Sequence, residues 1–100
     1  MALFRIPDGI GAMVATAPGQ MWYLAAGDKR SNFATNGTFS PGALSDVSLV
    51  VAGTLEAGNN FMTVQQTGAG TGFNMHVEAT GRVVSLGPAG HAIDITSDYF

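Results

Sequence analysis

The residues able to do acid–base or ligand chemistry are few: His76, Glu78, His91, Asp94 and Asp98. His76 and Glu78 lie two apart, so on a strand both side chains leave the same face. A zinc-type site would need a third ligand, from His91 or Asp94. No motif fixes such a set, and a surface His–Glu pair accounts for the spacing. Hydrolysis through His91, Asp94 and a serine would need an exposed nucleophile, and the Gly-x-Ser-x-Gly turn that provides one is missing. Thr67-Gly68-Ala69-Gly70-Thr71-Gly72 comes nearest to a phosphate cradle. It lacks the Lys-Ser/Thr ending, and a strand follows it instead of the helix whose N-terminus would hold the anion. The expectation is a non-enzyme with no catalytic residue, no metal and no cofactor.

Composition points the same way. The chain has 100 residues, 4 basic and 7 acidic, a net charge of −3 and no cysteine. That length allows one domain, 1–100, with residues 1–11 as an N-terminal arm. Only 11% of residues are charged, against about 25% in an ordinary soluble domain. The negative balance argues against nucleic acid and anionic membrane as partners. No apolar run approaches the roughly 18 residues of a membrane-spanning helix. The opening Met-Ala-Leu-Phe-Arg-Ile-Pro-Asp-Gly has no basic segment leading into an apolar stretch, so folding in the cytoplasm is expected. A surface so poor in charge suits burial against copies of itself or against partners.

The elements that must position these residues read as strands. The 14 glycines and 4 prolines interrupt every stretch long enough for an amphipathic helix. Val47–Val51 alternates and runs on to Leu55, Ala57-Gly58-Asn59-Asn60 reads as a hairpin turn, and Phe61–Gln66 reads as the returning strand. Phe73, Met75 and Val77 alternate with Asn74, His76 and Glu78, as in a strand with one face on a core. Val83–Leu86 and Ala92–Ile95 follow. In the first half Phe4–Ile6, Ala12–Thr16 and Met21–Ala25 are strand-like, Asp28–Asn32 reads as an exposed charged loop, and Phe33–Ser45 is mostly irregular. Short connections favour antiparallel neighbours, because parallel ones need longer crossovers. The expected fold is therefore an all-β antiparallel sandwich, jelly roll or small barrel of seven or eight strands. A short parallel β-helix is the alternative. It is suggested by the repeated step Gly37-Thr38-Phe39, Gly53-Thr54-Leu55 and Gly81-Arg82-Val83, although its intervals are unequal.

Aromatic residues mark the candidate contacts. Trp22 and Tyr23 are adjacent, so on a strand they face opposite ways, and one of them is expected at a surface or interface. An exposed ring there could also stack on a sugar. Tyr99 and Phe100, together with Phe4 and Ile6 of the arm, complete the set of candidate interface residues.

The stretch Val47–Val64, read as strand, Gly-containing turn and strand, resembles the hairpins of jelly-roll domains in decoration, fibre and tail proteins of tailed phages. The resemblance covers about a fifth of the chain. It implies a structural subunit of the virion, a homo-oligomer (trimer or larger) assembled in the host cytoplasm and bound to a capsid or tail lattice. The alternative is a carbohydrate-binding or adhesin-type β module at a cell surface or outside the cell.

Overall fold

In a computed structural model of the chain, residues 3–59, 61–66, 72–87 and 92–94 are described. Twelve short strands form: β1 (Leu3–Arg5), β2 (Gly9–Ile10), β3 (Met13–Val14), β4 (Met21–Leu24), β5 (Lys29–Asn32), β6 (Phe39–Ser40), β7 (Ser48–Val51), β8 (Thr54–Ala57), β9 (Val64–Gln65), β10 (Asn74–Val77), β11 (Arg82–Ser85) and β12 (Ile93–Asp94). They make three four-stranded sheets, ordered β1-β4-β7-β10, β2-β5-β8-β11 and β3-β6-β9-β12. Every pairing is parallel. The chain thus visits the three sheets in turn and starts again, giving four stacked coils of a parallel β-helix. No described residue is helical.

The antiparallel sandwich, jelly roll or barrel of seven or eight strands does not form. Its short connections are real, but they are corners between sheets and not hairpin turns. Val64 pairs with Phe39 and Ile93, one coil away on either side, and not with the strand that precedes it in sequence. A parallel neighbour needs a long return path, and here the other two sheets of the coil supply it. The segment Val47–Val64 is accordingly one coil (β7, β8 and the start of β9), not a hairpin.

Alternation decides which side chains enter the coil. In register, Phe4, Trp22, Leu49 and Met75 stack in one inward column, and Leu24, Val51 and Val77 in a second. Met13, Phe39, Val64 and Ile93 form a third, in the third sheet. Rings bridge the columns: Phe4 stacks on Trp22 at 4.9 Å, Trp22 meets Phe39 at 5.9 Å, and Phe39 stacks on Phe73 at 6.4 Å. Such offset and tilted pairs add to the area that the rings bury.

The charged stretch Asp28–Asn32 is not an exposed loop. Lys29–Asn32 is β5, and each charge has found a partner. Asp28 pairs with Arg5 at 2.6 Å, and Lys29 with Glu56 at 3.0 Å. The Arg5 guanidinium, hydrogen-bonded to Asp28, is pushed above its already high ordinary value. Arg30 points inward in register with Gly9. Its Nε donates to the Gly11 carbonyl at 2.8 Å, filling space that two side-chain-free residues leave in the first coil.

Candidate functional site

The residues singled out for chemistry do not converge. His76 Nε2 and Glu78 Oε1 lie 3.5 Å apart on the outside of the first sheet, and both side chains are at least half exposed. Asp94 belongs to β12 in the third sheet, while His91 and Asp98 lie outside the described residues. Among the described residues no group of three or more His, Asp or Glu could hold a metal. The glycine-rich loop is outside the description up to Thr71. Gly72, at φ +74°, sits against Asp46, whose carboxylate occupies the space of a Cβ.

The interface candidates divide. Ile6 is fully buried and Trp22 nearly so, and both belong to the core cluster. Trp22 is no free sugar platform. Its indole Nε1 donates to Gln20 Oε1 at 3.1 Å, and that amide also accepts from the Thr16 backbone and donates to Thr16 Oγ1, each at 2.9 Å. Phe4 is half-buried against the core, and Tyr23 lies half-buried on the outer face of the first sheet. Tyr99 and Phe100 lie outside the described residues.

Two further features arise from the coiling of the chain and not from any local stretch of sequence. The first is the pair of ends. β1, β2 and β3 are the edge strands of all three sheets at one end, and β10, β11 and β12 at the other. Leu3, Ile10 and Val14, one on each edge strand of the first coil, are exposed, as are Val77, Leu86 and Ile93 of the last. Val77 and Ile93 face inward, in register with the fully buried Val51 and Val64, yet they are 42% and 41% exposed. No described strand stacks on them.

The second feature is a depression of about 320 Å³ on the outside of the second sheet, lined by Asp8, Ile10, Lys29, Ser31, Phe33 and Glu56 with Gly9. Glu56 points outward from β8, but its side chain is only 7% exposed. Ser31 Oγ donates to its Oε1 at 2.8 Å, and Lys29 Nζ meets the same oxygen at 3.0 Å. Asp8 Oδ1 accepts the Lys29 backbone N–H at 2.6 Å. These residues come from three successive coils. Only the register of parallel strands brings them together, so no local spacing announces the site.

No helix among the described residues is long and apolar enough to cross a membrane. No protein-family model matches the chain, and no curated protein or solved structure is detectably similar to it.

Proposed function

We propose that the protein is a non-enzymatic structural subunit of a larger assembly, joined to its neighbours through the ends of the β-helix. The observation that carries this reading is the last layer, in which Met75, Val77, Val83 and Ile93 lie over a sealed core with no described strand stacked on them. Solenoids whose ends face water carry polar caps, and open parallel edges are templates for further strands. Here the edge strands carry Leu3, Ile10 and Val14 at one end and Val77 and Ile93 at the other. The low charge, 11%, favours the same reading, since a subunit mostly covered by neighbours needs few charges to stay apart from them. A decoration, tail or fibre subunit of a phage particle is one setting that such a stacking unit suits.

Light scattering across a dilution series tests the proposal. Association that rises with concentration, and is lost when Val77→Asp and Ile93→Asp are combined, is the expected result. A chain that stays monomeric at every concentration, with the same mass in the double variant, overturns it.

A further inference from the structure

We infer that the depression on the second sheet is a binding site for a neutral hexopyranose, the ring of an uncharged sugar or of a glycan's terminal residue. The site is separate from the assembly reading and draws on different residues from those that cover the ends, Ile10 excepted.

A sugar ring presents an apolar C–H face and a rim of hydroxyls, each both donor and acceptor. The depression offers a counterpart to each. Phe33 leaves 43% of its surface exposed, yet its ring is held in place. It lies against Gly58, where a Cβ would come within 2.3 Å of the ring. Asn59 Nδ2 donates to the Phe33 carbonyl at 2.7 Å. The buried Asn32 side chain ties down the turn that follows, donating to the Thr35 carbonyl at 2.9 Å and accepting from the Ala34 N–H at 3.2 Å. An aromatic fixed by its surroundings costs little entropy when a ligand stacks on it. Ile10, on the first coil, adds a second apolar surface.

The polar side is equally prearranged. Both partners of Glu56, Ser31 Oγ and Lys29 Nζ, engage the same oxygen, Oε1. A carboxylate has room for about four hydrogen bonds on its two oxygens, so Glu56 retains acceptor capacity where it lines the depression. Lys29 Nζ is a donor with three protons, and the Asp8 carboxylate, held by the Lys29 backbone N–H at 2.6 Å, also lines the depression. The lining carries two carboxylates and one ammonium, which disfavours an anionic ligand. Lys29 meets the charge on Glu56 at 3.0 Å, so the one excess negative charge sits on the exposed Asp8 at the rim, away from the Glu56–Ser31 floor, and a cationic probe tests it. What remains is a set of acceptors and donors beside two apolar side chains, in an open depression of about 320 Å³.

The test is ligand-observed NMR with methyl glucoside, methyl mannoside and methyl galactoside, alongside sialyllactose as an anionic probe and methylammonium as a cationic one. Amide and methyl spectra of the protein locate any contact. The expected result is millimolar binding of at least one neutral pyranoside, with shifts centred on Ile10 and Phe33. Phe33→Ala and Glu56→Gln should each weaken it about tenfold or more, a loss typical of removing one well-placed contact, while Glu78→Gln on the first sheet leaves it unchanged. No shift with any neutral sugar, or binding of methylammonium or sialyllactose alone, overturns the proposal. So does equal binding by wild type and Phe33→Ala, which would reduce the Lys29–Glu56 pair to a brace between coils. Because Phe33 and Glu56 lie on the second and third coils, away from the ends, their response to sugar is read in any oligomeric state, so its failure leaves the assembly proposal standing, and the reverse holds too.

Discussion

Gly53 and Asp28 touch through their backbones. A Cβ on Gly53 would stand 2.2 Å from the Asp28 carbonyl oxygen and 2.5 Å from that of Ala25. The contact marks the corner between the first and second sheets, where the Gly53 N–H donates to the Leu24 carbonyl and the Thr54 N–H to the Asp28 carbonyl. One coil on, Gly81 is equally crowded by backbone, its absent Cβ falling 2.0 Å from the Val51 carbonyl oxygen. Backbone cannot yield as the end of a side chain can. Gly53→Ala and Gly81→Ala should therefore each cost about 3 kcal/mol, at the upper end of overpacking. Urea denaturation at one fixed protein concentration checks this. Gly19→Ala is the comparison. It has open space at its Cβ and strain only from its φ of +76°, and it should cost less.

This corner also shows what could be read from the chain. The steps Gly53-Thr54-Leu55 and Gly81-Arg82-Val83 are true structural equivalents, with Thr54 beside Arg82 and Leu55 beside Val83. Gly37-Thr38-Phe39 is not one of them, since it leads into the third sheet. Mixing two corners makes the intervals unequal, which is why the β-helix stands in the sequence only as the alternative to an antiparallel fold. The inward–outward alternation of Asn74–Val77 was legible because period two is the same in any sheet. Strand direction was not, because Ala57–Asn60 satisfies a hairpin turn and a corner equally well. The depression was out of reach for a further reason: Ser31 and Glu56 become neighbours only through a register that parallel pairing imposes.

Arg30 closes the first coil from within. Its guanidinium donates to the Gly11 carbonyl and reaches the Pro7 carbonyl at 3.4 Å. Arg30→Ala should cost about 2 kcal/mol, the range for a hydrogen bond from a charged group. Lysine should rescue it poorly, because it lacks the planar fork. The loss should be local: amide exchange should quicken at Gly11 and Met13, which donate to Ser31 and Thr38, before it does at the Ala52 amide of the third coil.

Gln20 is a buried hub between Thr16 and Trp22. Gln20→Leu keeps much of the volume but orphans the Thr16 N–H and the indole N–H. Buried unpaired donors of this kind cost about 1–3 kcal/mol each, so a loss of about 3 kcal/mol is expected. Gln20→Glu should cost less, because a carboxylate still accepts from both donors. Trp22 is the chain's single tryptophan, so its emission reports the same change directly: the leucine variant should alter the indole environment in the folded state as well as lower the midpoint.

Phe39 is the joint of the aromatic string, within stacking or tilted contact of both Trp22 and Phe73, and it is fully buried. Truncating such a ring opens a cavity that parallel strands on either side cannot close, because Met13 and Val64 are fixed in register above and below it. Phe39→Ala should therefore cost about 4 kcal/mol. Against a total of about 5–15 kcal/mol for a domain, that is enough to leave a measurable unfolded fraction. Phe39→Leu, which refills most of the space, should cost about 1.5 kcal/mol. Thermal unfolding followed by far-UV circular dichroism separates the two. If alanine and leucine are equally harmful, ring-to-ring contact and not filled volume is what the third column requires of this position.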